Sequence, residues 1–319
     1  MLPANLERII KKARQLGMKV DLLPWKKPVV RIKHGQKTRY FYDAFLPLNH
    51  TVGARLSKYK SLSKEIFVKI GMTTPKGFLC KEFNEALKKI KKGEIKYPVV
   101  VKPNDTALGE GVTVGISNDQ DLKIAIEKLP EKHKEFLLEE YVQGNDYRLL
   151  VLDGQLIAAC QRIPPFVTGN GQKSLKELID DFNQNREKKL KIDWEVSRNL
   201  KEQKVGLTTI IPQGQKIILR KNANIFTGGI SKDVTDLVAS RFKKLAIKVA
   251  EELGLRLAGV DILTDDLTSE KGDYYLTEVN GLPSFDIHET PTFGLKRDVT
   301  SLILKAIFAS PQFKNEWKS

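Results

Sequence analysis

The segment AGVDILTDDLTSEKGDYYLTEVN, residues 258–280, constrains the fold of this chain more than any other stretch. Two apolar runs flank a turn that is rich in polar residues and glycine. This pattern predicts two antiparallel strands, Leu257 to Leu263 and Tyr274 to Val279. Since alternate residues of a strand point to the same face, polar residues at matching positions of the two strands are expected to meet.

Three polar side chains on these strands predict a metal site. Asp261 lies on the first strand, whereas Glu278 and Asn280 lie on the second and leave it on the same face. Two carboxylates and an amide oxygen form an oxygen-only set that suits one or two Mg²⁺ ions, with Mn²⁺ as a substitute. Because Mg²⁺ usually links protein carboxylates to nucleotide phosphates, the set also predicts a bound nucleotide.

A second segment, YPVVVKPNDTALGEGVTV, predicts where the phosphates lie. Pro98 to Val101 is a buried-strand pattern followed by Lys102, and Val112 to Ile116 is a second strand. Between them lies a loop with Gly109 and Gly111, which can fold over phosphates and present backbone N–H groups beside the lysine. The loop is not a Walker loop, because no GK[ST] closes it. A short Gly-x-Gly run alone usually marks a turn, so the prediction depends on the metal set.

Several motifs resemble one enzyme family, the ATP-grasp carboxylate–amine ligases. The chain is most similar to the ATP-grasp part of cyanophycin synthetase and of the bifunctional glutathione synthetases, between about Lys58 and Phe308. The matching motifs are VVVKPNDTALGEGVTV, EEYVQGNDYRLLVLDGQLIAA, VTGNG, LRKNANIFTGG, AGVDIL and TEVNGLPSF. The resemblance implies an α+β fold of the ATP-grasp type, in which two α+β subdomains hold ATP between antiparallel sheets. The expected divisions are a short N-terminal segment, 1–56, and two ATP-grasp subdomains, 57–142 and 143–319.

The resemblance also implies a set of nucleotide contacts. Lys60 and Lys102 would bind phosphates, the loop from Asp105 to Gly111 would close over ATP, and Asp146 would bind the ribose. The backbone near Tyr141 and Val142 would recognise adenine. The full expected set is Lys60, Lys102, Asp105, Gly109, Gly111, Val112, Glu139, Glu140, Tyr141, Val142 and Asp146. The family pattern has Asp-Lys where this chain has Tyr59-Lys60, so Lys60 has the alternative of being a surface lysine.

Four further residues are implied to act on the transferred phosphoryl group. Arg148, Arg162 and Arg220 would stabilise its negative charge, because guanidinium groups stay charged and bind phosphate through two parallel hydrogen bonds. Asn222 would orient the phosphate or a metal-bound water. The alternative for the arginines is pairing with Asp or Glu at the surface, and Arg220 to Asn224 could be a solvated turn. The GLPSF loop after Asn280 resembles the loop beside the acceptor amine.

The composition limits the class of protein and its partners. The chain has 319 residues, 41% hydrophobic and 29% charged, as in globular proteins with a substantial core. No apolar run is long enough to span a membrane and no signal-peptide core is seen, so no membrane and a cytoplasmic location are expected. Cys80 and Cys160 lack metal-ligand or redox spacing and are expected to pack in the interior.

The expected reaction is ADP-forming ligation of a carboxylate to an amine, on an amino acid or short peptide, through an acyl phosphate. A catalytically silent ATP-binding regulator is the alternative that the missing aspartate before Lys60 favours. The formal net charge of +15 is typical either of a lysine-rich solvated surface with no specific role or of a surface that attracts anions such as ATP or an acidic substrate. Binding of nucleic acid is not expected, because no aromatic residues or known motif accompany the lysines. A homodimer is compatible with the resemblance.

Other segments predict the elements between these motifs. Leu6, Ile9, Ile10 and Ala13 have helical spacing, and Asp153-Gly154 between apolar runs predicts a hairpin. The remaining predictions are helices over Ser57 to Ile70 and Val234 to Leu253, strands over Phe136 to Val142 and Ile210 to Leu219, and a helical excursion over Asp180 to Arg198.

Overall fold

The computed structural model describes residues 2–106, 109–133, 135–184, 186 and 189–309. Within this part of the chain, no helix is both long and apolar enough to cross a membrane. Ala107 and Leu108 of the glycine loop, three residues of the predicted excursion (185, 187 and 188) and residues 310–319 lie outside the described residues.

The N-terminal segment is a helix packed on a three-stranded antiparallel sheet. Its elements are α1 (Ala4–Gln15), β1 (Lys19–Leu23), β2 (Val29–His34) and β3 (Lys37–Tyr42), with β2 in the centre. The predicted helix face is confirmed, because Leu6, Ile9, Ile10 and Ala13 are all buried. This face packs on the inner side of the sheet, where Val30 is fully buried.

The prediction of one helix from Ser57 to Ile70 is wrong at its start, because the helical conformation is interrupted at Tyr59. The structure has two helices there, α2 (Thr51–Lys58) and α3 (Lys60–Lys69), and Tyr59 between them is extended. The side chain of Tyr59 provides no cap for α3. Instead, Asn104 accepts the N–H groups of Lys60 at its carbonyl and of Ser61 at its Oδ1, both at 2.9 Å. A residue distant in sequence therefore caps this helix.

The next part of the chain, called the first subdomain below, is a four-stranded antiparallel sheet with two helices. Its elements are β4 (Gly77–Cys80), α4 (Phe83–Lys91), β5 (Val99–Pro103), β6 (Thr113–Ile116), α5 (Asp119–Glu127) and β7 (Phe136–Glu140), with strand order β4-β7-β5-β6. The predicted strand Phe136 to Val142 ends two residues early, at Glu140. Cys80 is buried and free in the core of this subdomain, as predicted for a packing residue.

The second subdomain is built on a five-stranded antiparallel sheet. Its main elements are β8 (Asn145–Leu152), β9 (Gln155–Ile163), β12 (Ile230–Asp233), α8 (Ser240–Glu252), β13 (Leu257–Thr264), β14 (Tyr275–Asn280), α9 (Asp286–Glu289) and α10 (Val299–Ala309), with strand order β12-β9-β8-β13-β14. The predicted pairing of the strands that carry Asp261 and Glu278 is confirmed. So is the hairpin at Asp153-Gly154, whose two residues both have positive φ, as a two-residue turn between antiparallel strands requires.

The chain between β9 and β12 forms a small lobe with its own apolar core. It contains β10 (Phe166–Thr168), α6 (Leu175–Gln184), α7 (Trp194–Glu202) and β11 (Lys216–Ile218). The predicted strand Ile210 to Leu219 shrinks to β11. The predicted helix Val234 to Leu253 is also shorter than expected, because Thr235–Leu237 is a 3₁₀ turn in which Leu237 is 56% exposed.

Two apolar layers cover the five-stranded sheet unequally. On one face, α8 covers β8, β9 and β13 through residues such as Phe242 and Val249, and α2 and α3 cover β14, with Phe67 of α3 in the same apolar core. On the other face, α1, α10 and Phe285 cover only the part around Leu150, Ala158 and Leu257. The rest of that face remains uncovered by apolar residues, and it is there that the polar side chains project.

Candidate active site

Strand register places six polar side chains on the uncovered face of the five-stranded sheet. Arg148 lies opposite Asp261, which lies opposite Glu278, across β8, β13 and β14. Directly opposite residues of antiparallel strands point to the same face, and so do residues two positions along each strand. The resulting surface, called the charged sheet face below, consists of Asp146, Arg148, Arg162, Asp261, Glu278 and Asn280.

A cavity of about 400 Å³ lies between this face and the first subdomain. Its volume is in the range of small-molecule and cofactor sites. Fifteen of the eighteen residues that the sequence predicts line it: Lys60, Lys102, Gly109, Val112, Glu139, Glu140, Tyr141, Val142, Asp146, Arg148, Arg162, Asn222, Asp261, Glu278 and Asn280. Asp105, Gly111 and Arg220 do not. Thr106, Asn224 and Thr277, which the motifs did not single out, also line the cavity.

Two arginines bind the buried carboxylate of Asp261. Arg148 donates to its two oxygens from Nε and Nη2, both at 2.6 Å, and Arg162 donates at 3.0 Å. Burial would raise the pKa of Asp261, but the charges of both arginines outweigh it and lower the pKa. Arg162 also donates to Asp146 at 2.6 Å. The two guanidinium groups are therefore fixed side by side on the charged sheet face.

Three lysines lie at or near the cavity: Lys102 on β5 of the first subdomain, and Lys60 and Lys64 on α3, which packs against β14. Glu139, 3% exposed, pairs with Lys102 at 2.7 Å and with Lys64 at 2.9 Å. Burial acts to raise the pKa of Glu139, but the two lysines lower it. Lys60 donates to the carbonyl of Thr106 at 2.6 Å, so it is not a surface lysine. Sequence reasoning missed Lys64, since nothing but its helical spacing from Lys60 marked it. Glu139 holds two lysines in place, and its contact with the nucleotide stays a prediction.

The connection between the subdomains presents few free backbone groups. The N–H of Tyr141 donates to the Pro98 carbonyl at 3.1 Å, and that of Glu140 donates to the Lys76 carbonyl at 2.9 Å. Within the described part of the chain, the carbonyl of Tyr141 and the N–H of Val142 have no hydrogen-bond partner. These two groups, rather than the N–H of Tyr141, are the ones that could meet a ligand at this end of the cavity.

The described part of the glycine loop touches the second subdomain. A Cβ at Gly109 would lie 2.5 Å from Nδ2 of Asn224, so the bare backbone is what allows this approach. Gly111 packs against Pro103 and Pro130 outside the cavity. Asp105 also points away, because its carboxylate contacts Nδ1 of His133 at 2.5 Å. Asp105 and Gly111 thus contact residues outside the cavity and affect the loop only through those contacts.

Arg220 does not reach the cavity, contrary to its predicted place at the phosphoryl group. Its guanidinium is 8% exposed and is held by the carboxylates of Asp193 and Glu195 at the start of α7. Glu195 also accepts a hydrogen bond from Thr113 on β6 at 3.1 Å. Asn222, two residues further on, does line the cavity and accepts the N–H of Asn224 at 2.9 Å. Asp193 and Glu195 were missed because a pair of acids in a charged segment carries no distinctive pattern.

The donor set fits a divalent cation at Glu278 and Asn280. One terminal atom of the Asn280 amide lies 3.1 Å from Oε1 of Glu278, and the other lies 2.9 Å from Nη2 of Arg148. With the nitrogen towards Glu278, both contacts are hydrogen bonds. With the oxygen towards Glu278, the two oxygens have about the 3 Å separation of neighbouring ligands around octahedral Mg²⁺. Asp261 can join them only after an arginine moves, and the described residues contain no cluster of three or more His, Cys, Asp and Glu suited to a metal.

Comparison with known proteins shows the family. A model described as the RimK-like ATP-grasp domain matches residues 57–236, more than half of the chain. The chain belongs to the RimK-like ATP-grasp family. The α+β ATP-grasp fold predicted from the motifs is thereby confirmed, as is membership of an enzyme family that forms carbon–nitrogen bonds.

Relatives of this ATP-grasp chain are larger proteins. Cyanophycin synthetase of Geminocystis herdmanii is 30% identical over 96% of this chain and 36% of its own length. The glutathione biosynthesis bifunctional protein of Desulfotalea psychrophila is 27% identical over 95% of this chain and 41% of its own length. The crystal structure of a bifunctional glutathione synthetase from Pasteurella multocida matches with a TM-score of 0.68 and 25% identity, over 97% of this chain and 44% of that one. The chain thus spans well under half of the length of these proteins.

Proposed function

We propose that the chain catalyses ATP-dependent, ADP-forming ligation of a carboxylate to an amine. One observation carries this proposal: Arg148, Arg162 and Glu278 line the same cavity as Lys60 and Lys102, and Lys60 lies 3.9 Å from Glu278. Several cations around one small cavity suit the transfer of a phosphoryl group, which proteins accelerate mainly by positioning and by neutralising charge. The names of the relatives, cyanophycin synthetase and a glutathione biosynthesis protein, support the same class of chemistry.

In the proposed first step, an oxygen of the substrate carboxylate attacks the γ-phosphorus of ATP. The new O–P bond gives an acyl phosphate, and the bond to the bridging oxygen breaks so that ADP leaves with the electron pair. In the second step the amine lone pair attacks the acyl carbon. The C–N bond forms, the C–O bond to phosphate breaks, and the amine proton passes to solvent. Arg148 and Arg162 would stabilise the charge on the transferred group.

The remaining contacts follow the cavity from end to end. The free carbonyl of Tyr141 and N–H of Val142 would bind adenine, Asp146 the ribose, and Lys60 and Lys102 the phosphates. Glu278 and Asn280 would hold Mg²⁺, joined by Asp261 once an arginine has moved to phosphate. Bound there, the ion would neutralise phosphate charge. The loop from Asp105 to Gly111 would close over ATP and keep water from the acyl phosphate.

The substrates are proposed only by class, a carboxylate donor and an amine acceptor that are amino acids or short peptides. A cytoplasmic location and a homodimer also stay predictions. A catalytically silent ATP-binding regulator is the second candidate. One observation favours it: both oxygens of Asp261 and both terminal nitrogens of Arg220 are already bound within the protein.

Phosphate release tests the proposal. The purified chain is incubated with MgATP and pooled amino acids and acidic dipeptides, and is compared with Glu278→Ala. We expect release that requires both a carboxylate and an amine, and a loss of about 100-fold or more in the variant. Glu127→Ala, which removes a carboxylate from the exposed face of α5, is the matched control and should keep full activity. ATP binding without turnover would favour the regulator, and no ATP binding would exclude both functions.

A further inference from the structure

The loop that follows the metal-bearing strand lies over the charged sheet face. It comprises Gly281 to Phe285, is called the Gly281 loop below, and contributes Leu282 and Ser284 to the cavity lining. A Cβ at Gly259 would lie only 2.8 Å from the Cβ of Pro283, so the loop crosses β13 at van der Waals contact. A small displacement of this loop would therefore change the shape of the cavity directly.

The position of the loop along the sheet indicates which substrate it meets. Asp146 and Leu263, opposite each other, lie next to the connection around Val142 where adenine is proposed to bind. Asp261 and Glu278 form the next row, and Asn280 and Gly259 the row after that. The Gly281 loop begins just beyond this last row. It lies at the end of the cavity opposite the nucleotide base, where the acyl group and the attacking amine would meet.

Side chains from the N-terminal segment and α2 hold the backbone of this loop. The N–H of Gly281 donates to Oγ of Ser57 at 3.2 Å, and its carbonyl accepts from Asn49 at 2.6 Å. Asn5 donates to the carbonyl of Pro283 at 2.9 Å and accepts the N–H of Phe285 at 3.4 Å. Asn5 therefore fixes the loop by two hydrogen bonds of opposite direction, because its amide carries both a donor and an acceptor.

The N-terminal segment itself stays out of the cavity. Every described lining residue lies between Lys60 and Ile287, so residues 2–56 contribute none. Yet α1, which carries Asn5, is anchored firmly to the same region. Arg8 pairs with Glu289 at 3.1 Å, Lys12 pairs with Asp298 at 2.9 Å, and Leu6 is fully buried in the core shared with α10. The helix is thus a rigid support for a loop that it does not cover.

We propose that Asn5 is a positioning residue that sets the Gly281 loop for attack by the amine acceptor. This inference rests on the proposed function. Asn5 acts through the loop and touches neither substrate. Its loss should weaken the second step, in which the amine attacks the acyl carbon and phosphate leaves, while the first step, formation of the acyl phosphate and ADP, should persist. A misplacement of an ångström can cost about 100-fold in rate at such a step.

Hydroxylamine separates the two steps. It is small, can be supplied in large excess and attacks acyl phosphates to give hydroxamates, so it reports the first step without a bound acceptor. With MgATP and the pooled amino acids and dipeptides, we expect Asn5→Ala to keep wild-type hydroxamate formation. Its amide formation from the same pool without hydroxylamine should fall about 10-fold or more. An equal loss in both assays, or no loss in either, would overturn the proposal.

Asn183→Ala is the matched control. Asn183 is half-buried like Asn5 and also makes two hydrogen bonds of opposite direction to backbone, donating to the carbonyl of Leu190 at 3.0 Å and accepting its N–H at 2.8 Å. It lies in the small lobe, far along the chain from the Gly281 loop. Asn183→Ala should lose about as much stability as Asn5→Ala, and its hydroxamate and amide formation should keep the wild-type ratio. If Asn183→Ala also changed the ratio of amide to hydroxamate formation, the change would reflect lost stability and not the position of the Gly281 loop.

Asn5→Asp gives a second, nearly isosteric variant. It keeps an acceptor for the N–H of Phe285 but replaces the donor to Pro283 with a second oxygen, so it should behave like Asn5→Ala. Deuterium exchange of the full chain provides a readout that does not need turnover. Amides of residues 285–289 should exchange faster in both Asn5 variants and normally in Asn183→Ala. If the wild type forms no hydroxamate, the proposed function fails. In that case, unchanged deuterium exchange in the Asn5 variants would overturn the inference about Asn5 separately.

Discussion

The arginines of the charged sheet face were expected to act on the same phosphoryl group as the segment Arg220 to Asn224, called the Arg220 segment below. The two regions differ in structure. On the sheet face every predicted side chain projects into the cavity, because strand pairing fixes its direction. In the Arg220 segment, Asn222 lines the cavity, whereas Arg220 turns to Asp193 and Glu195. An irregular segment has no such period, and the nearest pair of carboxylates decides where its arginine lies.

The largest expected effect tests whether the sheet face is a single electrostatic unit. Asp261→Ala leaves Arg148 buried without the carboxylate that it binds and leaves Arg162 paired with Asp146 alone. Removing one partner of a buried ion pair costs about 3–5 kcal/mol of unfolding free energy. Urea unfolding at pH 7 measures this loss. The control is Asp21→Ala, which breaks a pair with Arg31 in which both side chains are 47% exposed. Exposed pairs contribute only about 0–1 kcal/mol.

A similar loss in the two variants would mean that Arg148 and Arg162 find other partners. The charges of the sheet face would then not depend on one another for stability, and the contrast with the Arg220 segment would fail.

The second prediction compares the two regions directly through turnover. Arg162→Ala removes a guanidinium group that lines the cavity and should lower kcat by about 100-fold or more. Arg220→Ala removes one that is bound behind the cavity, so it should lower stability more than kcat. Phosphate release and urea unfolding, measured on both variants, give the two effects. If Arg220→Ala lost kcat as strongly as Arg162→Ala at unchanged stability, Arg220 would reach phosphate during the reaction and the contrast would fail.

The third prediction concerns the pH dependence of stability that arises from Glu139 on β7 of the first subdomain. Since Lys102 and Lys64 lower the pKa of Glu139 against the effect of burial, the folded state favours its charged form. The stabilisation is complete above the ordinary glutamate pKa of about 4.3 and is lost as the pH falls through the lower folded value. Glu139→Gln should therefore destabilise the chain at pH 7, and its difference from wild type should shrink as the pH falls below about 4.3.

The measurement is urea unfolding of both proteins between pH 7 and pH 3. Glu127→Gln on the exposed face of α5 is the control and should differ little from wild type at any pH. A difference for Glu139→Gln that stays constant with pH would show that shape, and not charge, is what Glu139 contributes.

Local pattern determined much of this protein. The two-residue period of β13 and β14 was enough to place Asp261, Glu278 and Asn280 on one face, and the motif order was enough to predict the ATP-grasp fold. The Asp153-Gly154 turn fixed the β8–β9 pairing, because positive φ at both residues is a local property. These features depend on neighbours in the chain, which the sequence shows directly.

Contacts between distant residues decided the rest. Asn104 breaks the predicted helix at Tyr59 by capping α3, and Glu195 draws Arg220 away from the cavity. Asn5 donates a hydrogen bond to the carbonyl of Pro283, 278 positions away, and no pattern in either segment predicts this contact. Each of these contacts satisfies a backbone group or a charge that burial would otherwise leave unpaired, and its partner is chosen by proximity in the folded chain. Sequence alone therefore gave the direction of side chains on strands, and only tertiary structure gave the partners of side chains in loops and at helix ends.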